Sequence, residues 1–256
     1  MKKKVLVCGC NGHMGRIVCS LISQTDDLEV VCGFDMVEDF SGPFPIYNDI
    51  MSLVDSELSP DIIIDFSSPK ATDAILKYAW MTKIPIVIAT TGLSNSTLEN
   101  ISKISEEIPI FQSYNTSIQV NLVKHVLEKI AIAIPSAEVE ITETHHNRKK
   151  DAPSGTAKIF AEAIKHTFEA YQSSSYDIVF GRTEKRSKNE IGICSKRGGN
   201  IVGTHTIEFF SPFETIEITH IAHSRELFAD GAIQAARALL NRAYGLYHMD
   251  DLFHFS

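Results

Sequence analysis

The chain has 256 residues, 44% of them hydrophobic and 22% charged, enough for one large or two modest globular domains. A formal net charge of −8 argues against a nucleic-acid partner, which calls for basic surface in bulk. No run of about eighteen apolar residues predicts a membrane span, and Lys2, Lys3 and Lys4 lead into a strand pattern without a cleavable signal.

The cysteines at 8, 10, 19, 32 and 194 are odd in number, and four fall in apolar patterns. They predict buried free thiols and a reducing cytoplasm.

In chain order, Lys4 to Cys8 predicts a strand, followed at once by Gly9, Cys10, Asn11, Gly12, His13, Met14 and Gly15. Glycines spaced three apart permit a tight turn, close approach of a pyrophosphate and close helix packing. Met14 to Ser23 predicts a helix, and Glu29 to Asp35 a second strand ending on an acid. Strand, glycine turn, helix, strand and acid in that order form the Rossmann dinucleotide fingerprint, with Asp35 suited to accept hydrogen bonds from the adenosine ribose.

The alternation continues with a strand Asp61 to Phe66, a helix Lys70 to Met81, a strand Pro85 to Ala89, a helix Ser94 to Glu106 and a strand Pro109 to Gln112. Such alternation predicts a parallel sheet covered on both faces. Ligands of these sheets sit beyond the carboxyl ends of the strands, and the polar residues there are Ser67 and Ser68, Thr90 and Thr91, and Ser113 to Asn115.

From about Ser117 the pattern changes. A helix Ile118 to Ile134 and a strand Glu138 to Thr144 lead to a polar loop, then a helix to about Tyr171. A Ser-, Lys- and Arg-rich segment, Tyr171 to Asn189, predicts a loop. Strand runs Ile191 to Arg197, Ile201 to Phe210 and Thr215 to Ile221 follow, and Phe228 to Tyr244 predicts a closing helix. The second half therefore predicts a mixed or antiparallel sheet with helices on one side.

The polar loop carries the most chemistry. His145, His146, Arg148, Lys149 and Lys150 precede Asp151-Ala-Pro-Ser-Gly-Thr156, where Pro153 fixes φ, Ser154 is a good N-cap and a helical pattern follows. A helix N-terminus attracts anions through its dipole and its first amides, here expected at Gly155 and Thr156. Adjacent residues on a strand face opposite ways, so periodicity alone turns only one of the two histidines into a given cleft, and an isolated lysine is most often a solvated charge.

These stretches together resemble the 4-hydroxy-tetrahydrodipicolinate reductase (dihydrodipicolinate reductase) family. The resemblance spans nearly the whole chain: the glycine loop, Ala89-Thr-Thr-Gly92, Ser113 to Ser117, the His145 to Thr156 block, Arg197 to Gly203, and Ile218 to Arg225. The His145 to Thr156 block is highly specific; the glycine loop is not.

The resemblance implies an α/β architecture, with an N-terminal Rossmann-type parallel-sheet domain of residues 1–117 completed by 226–256. A C-terminal α+β domain of residues 118–225 with a mixed sheet binds substrate and forms a homotetramer. The implied activity is NAD(P)H-dependent reduction of a small cyclic dicarboxylate, in diaminopimelate and lysine biosynthesis. His145 is implied as the general acid and Lys149 as the catalytic lysine, with His146, Gly155 and Thr156 on substrate. Both histidines serve if the strand has already ended at Thr144.

The cofactor residues so implied are Gly9, Cys10, Asn11, Gly12, His13, Met14, Asp35, Ala89, Thr90, Thr91, Ser113, Tyr114, Asn115 and Thr116. His13 stands where the family more often has Arg, and Met36 where a basic residue often follows the acid. With Asp35 repelling a 2′-phosphate, NADH is expected to be preferred, NADPH being the second choice. Thr116 and Gln119 depart from the family's usual Phe and Gly at the crossover.

Other classes fit less well. An acylating aldehyde dehydrogenase needs a nucleophilic cysteine at the crossover, and Gln112 to Asn121 has none. A zinc hydrolase lacks His-Glu-x-x-His and paired Cys-x-x-Cys, so no metal is expected. A dinucleotide-binding redox sensor would keep the glycine turn but has no need of the His145, His146 and Lys149 cluster.

Overall fold

The computed structural model describes residues 1–39, 41–56 and 58–253. The chain divides into two compact units, Met1–Ile118 with Glu226–Ser256, and Gln119–Arg225. Of the C-terminal segment expected to complete the first domain, residues 254–256 lie outside the described residues.

The first unit opens with β1 (Lys3–Cys8), α1 (His13–Ile22), β2 (Leu28–Phe34), β3 (Ile46–Tyr47), α2 (Ile50–Asp55) and β4 (Ile62–Asp65). It continues through α3 (Pro69–Thr82), β5 (Ile86–Ile88), α4 (Asn95–Ser105) and β6 (Pro109–Gln112). The chain then enters the second unit through α5 (Ile118–Ala133), β7 (Glu138–His145), α6 (Gly155–Gln172), β8 (Asp177–Phe180), β9 (Glu190–Arg197), β10 (Gly203–Phe210) and β11 (Thr215–Ala222). It returns to the first with α7 (Glu226–Leu239), β12 (Gly245–Tyr247) and a 3₁₀ turn Met249–Leu252.

The first sheet has the order β12-β6-β5-β4-β1-β2-β3, with every pairing parallel. Its strands are apolar on both faces because both faces are covered. Val5, Val7, Ile62 and Ile64 pack with Val18 and Ile22 of α1 and Ala232 and Ala236 of α7. The alternate residues Leu6, Cys8 and Ile63 pack on the other side with Ile75 of α3 and Ile101 of α4.

The second sheet, β11-β10-β7-β9-β8, is mixed: β10 is antiparallel to β7 and β11, while β9 is parallel to β7 and β8. Here one face is apolar. Val139, Ile141, Ile191, Ile193, Ile207 and Phe209 pack with Leu127 of α5 and with Phe160, Ile164 and Phe168 of α6. Among the described residues, no helix is long and apolar enough to cross a membrane.

Four local expectations are corrected. The closing helix ends at Leu239 instead of Tyr244, and β12 follows, pairing with β6 at the sheet edge. Three residues of strand are too short for periodicity to register. The expected loop from Tyr171 to Asn189 contains β8, whose Ile178 and Val179 were obscured by charged neighbours. Those neighbours are not simply solvated: Arg182 and Arg186 both pair with Glu140, and Arg182 reaches Glu190 at 2.5 Å. β3 and α2 occupy a stretch with no expected element. Finally, β7 runs to His145 and does not stop at Thr144, while β10 starts at Gly203, two residues later than expected.

Candidate functional site

In the first unit, Gly9 takes φ +74° and donates its N–H to Phe34 O, while Gly12 donates to Gly9 O, each at 2.9 Å. A Cβ on Gly15 would stand 2.0 Å from Gly9 O, so the first turn of α1 lies directly against the loop. The Asp35 carboxylate closes this turn, accepting from Asn11 N at 2.8 Å and Met36 N at 2.7 Å. The turn thus has an acid fixed by backbone amides, backbone at the centre and a helix start, the fit a dinucleotide requires. His13 is exposed at the head of α1. Cys10 contributes only backbone: its side chain is buried against Gly33, and burial, followed by the Asp35 charge, pushes its thiol up to about 11.

Beyond β4, β5 and β6 lies a cavity of about 250 Å³ within this unit. Of the expected cofactor residues, Met14, Ala89, Thr90, Thr91, Tyr114 and Thr116 line it, joined by Phe66, Ser67 and Phe228. Ser113 and Asn115 do not line it; they hold the crossover turn through Ser113 Oγ to Asn115 O at 2.8 Å and Ser117 N to Asn115 Oδ1 at 3.0 Å. Thr116 is buried and donates to Phe228 O at 2.6 Å, so the departure at this position is filled by a contact to α7. Behind the cavity, buried Asp65 accepts from Ser67 N, Ser67 Oγ and Thr72 Oγ1.

In the second unit the site begins on β7. Strand alternation turns Glu143 and His145 to the same side, both buried, and His146 follows the strand half-exposed. His145 Nδ1 lies 2.5 Å from Glu143 Oε2. Arg197, at the end of β9, grips Glu143 through two guanidinium nitrogens at 2.9 and 2.8 Å and donates to Asp151 O at 2.6 Å. Ser154 N donates to the other Glu143 oxygen at 3.2 Å.

Ser154 also caps α6, its Oγ accepting from Ala157 N at 3.2 Å, and lies 3.0 Å from His205 Nε2. Open space surrounds Gly155 at the helix start. Lys149 Nζ holds both carboxylate oxygens of Asp151 at 2.8 Å.

Burial pushes the Glu143 carboxyl up, but hydrogen bonds from Arg197, Ser195 and His145 win and hold it at about 2. Burial pulls His145 down; Glu143 opposes this, while Lys149 and Arg197 add to it. In the free protein the ring therefore favours its neutral form. Burial, then the charges of Arg148, Arg225, Lys149 and Arg197, lowers His146 as well. His205, 5.2 Å from His145 between ring centroids, is held down to about 3 by burial, His145 and His220.

Two families described as Dihydrodipicolinate reductase, N-terminus and C-terminus, match residues 3–116 and 119–253. This chain belongs to the dihydrodipicolinate reductase family. It is 42% identical over 255 residues to the 4-hydroxy-tetrahydrodipicolinate reductase of Caldanaerobacter subterraneus subsp. tengcongensis, covering 98% of each chain. Against the Clostridium novyi enzyme of the same name it is 39% identical, covering 97% of each. Among solved structures, a dipicolinate-bound dihydrodipicolinate reductase from Paenisporosarcina sp. TG-14 superposes with a TM-score of 0.81 at 21% identity, covering 97% of this chain and 98% of that one, which shows the shared fold.

The residues expected from sequence to act on substrate, His145, His146, Lys149, Gly155 and Thr156, come from one continuous stretch of 12 residues. Glu143, Arg197, Ser154 and His205 were not singled out as site residues. Three acids, Glu138, Glu140 and Glu143, lie on one strand, and nothing local says which one meets Arg197, 54 residues beyond Glu143.

Proposed function

We propose that this protein is a 4-hydroxy-tetrahydrodipicolinate reductase, reducing its substrate to tetrahydrodipicolinate with loss of water, in diaminopimelate and lysine biosynthesis. The observation that carries this reading is the buried His145–Glu143 pair beside the open start of α6, in a family member whose other unit has a complete glycine turn. A nicotinamide dinucleotide is the cofactor. When bound at that turn it supplies the hydride that the unsaturated ring receives after water has left.

The ring then needs one proton. His145 is the donor in this reading, a role worth about 10² to 10⁴ in rate. Burial lowers the His145 pKa in the free protein, and the negative charge of an arriving dicarboxylate acts in the opposite sense, favouring the protonated donor. Lys149, paired with Asp151 in the free protein, exchanges that partner for a substrate carboxylate and steadies the electron-rich ring. Gly155 and Thr156 amides at the start of α6 bind the second carboxylate, and His146 contacts the ring from the loop. Residues 118–225 are thus the substrate domain, and their sheet carries the contacts of a homotetramer.

NADH is the preferred cofactor in this reading. Asp35 places a fixed carboxylate at the ribose position, and neither His13 nor Met36 offers the arginine that a 2′-phosphate requires. The expected result is a kcat/KM at least tenfold higher with NADH; a higher value with NADPH contradicts the assignment. The decisive test of function is oxidation of NADH at neutral pH on freshly prepared condensation product of aspartate semialdehyde and pyruvate. Tight NADH binding with no turnover would instead make the protein a sensor.

A further inference from the structure

Glu143 pairs with His145 but is given no step of its own in the chemistry just described, yet it is the most enclosed ionised group of the second unit, with no exposed surface. Its two oxygens receive four groups from three places in the chain: His145 on its own strand, both guanidinium nitrogens of Arg197 on β9, and Ser154 N at the head of α6. A carboxylate is acceptor-only, so the His145 Nδ1 facing it at 2.5 Å must carry the hydrogen. The lone pair of the neutral ring is then on Nε2. That edge is left clear by Gly203, where even a Cβ would come within 3.0 Å of Nε2.

Resting on the reductase reading above, we infer that Glu143 is the positioning residue of the reaction: it fixes the tautomer of His145 so that Nε2 alone takes up and delivers the proton, and through Ser154 it ties that ring to the anion-binding start of α6. Arg197 keeps the carboxylate charged and oriented, and its second bond, to Asp151 O, fixes the loop that carries Lys149. One buried anion therefore sets the proton donor and the carboxylate cradle in register.

The other charged or titratable groups around the ring are Lys149, Asp151 and Arg197, with His205 of β10 against its edge and His220 of β11 behind that. Of these only Glu143 bonds Nδ1, so only its loss removes the counter-charge of the imidazolium without touching substrate.

The test compares wild type with Glu143→Gln and Glu143→Asp over pH 5.5 to 9. In Glu143→Gln, kcat at pH 7.5 should fall at least tenfold, the alkaline limb of kcat should move at least one unit lower, and NADH binding should stay within twofold. Glu143→Asp should restore much of the limb. A Glu143→Gln enzyme with wild-type kcat and limb overturns the inference. Should that variant fail to fold, nitrogen-15 spectra of the wild-type histidines decide: neutral His145 protonated on Nδ1 supports it, and protonation on Nε2 overturns it. Wild-type protein that does not turn over the substrate refutes the reductase reading itself, a separate outcome.

Discussion

The two units build their sites from opposite materials. The glycine turn of the first is built by leaving side chains out: at Gly9, Gly12 and Gly15 backbone stands close against backbone, and Asp35 is fixed there by a backbone amide. The site of the second is made of ionisable side chains, Glu143, His145, Arg197 and His205 with Lys149 nearby; hydrogen bonds keep Glu143 charged, while burial lowers His145 and His205. A site of the first kind is broken by adding atoms. A site of the second kind is broken by removing a charge or a proton.

The largest effect expected from that contrast lies in the second unit. His145→Gln should lower kcat by about 10² or more and leave NADH affinity unchanged, since it deletes the proposed proton donor and no part of the glycine turn. Single-turnover kinetics with a binding titration check this, and near-normal kcat would remove His145 from the reaction.

In the first unit the matching change is an addition. Gly15→Ala places a Cβ on the Gly9 carbonyl, a backbone atom that cannot swing aside, so the turn must deform. Overpacking of this kind costs about 1–3 kcal/mol, and NADH affinity should fall at least tenfold while the fold of the second unit, read from its own amide exchange, is unchanged. Unaltered NADH binding in this variant would show that the turn does not need its present geometry.

The smallest effect is in stability. His205 is held neutral down to about 3 by burial, His145 and His220, against an ordinary histidine value near 6.5. A histidine with a depressed folded-state pKa binds fewer protons folded than unfolded, so stability is full above about 6.5 and declines as pH falls toward 3. Glu143, held at about 2, adds a loss of the same sign below about 4.3, where the unfolded carboxyl begins to protonate. In His205→Gln the gap in Tm between pH 7 and pH 5 should narrow by about 2–4 °C. An unchanged gap, measured by calorimetry, would mean that other groups carry the acid sensitivity.

The same contrast explains what could be read in advance. The first unit's site is legible because its signal is local: a strand, three glycines, a helix and an acid within 35 residues, each with a mechanical reason for its place. The second unit's loop is legible for the same reason, with His145, Lys149 and the cap at Ser154 in one run. The partners that govern the loop are not. Glu143 meets Arg197 only because β7 and β9 pair in parallel, with Glu143 opposite Ser195 and His145 opposite Arg197; Ser154 meets His205 because β10 flanks β7 on the other side. Composition misled at β8, where arginines that suggested a solvated loop fold back onto Glu140 and Glu190. It misled again at β12, where edge pairing with β6 decides the structure of three residues that carry almost no periodic signal.

The sequence by itself determined the alternation of strands and helices, the glycine turn with its acid, and the loop that carries two histidines and a lysine, because each depends on neighbours within a few turns of chain. Only the tertiary structure decided which carboxylate His145 faces, which edge of its ring is free, and that its resting state is neutral. Those properties arise from sheet register and from burial in a low-dielectric interior, which bring together charges more than fifty residues apart in the chain.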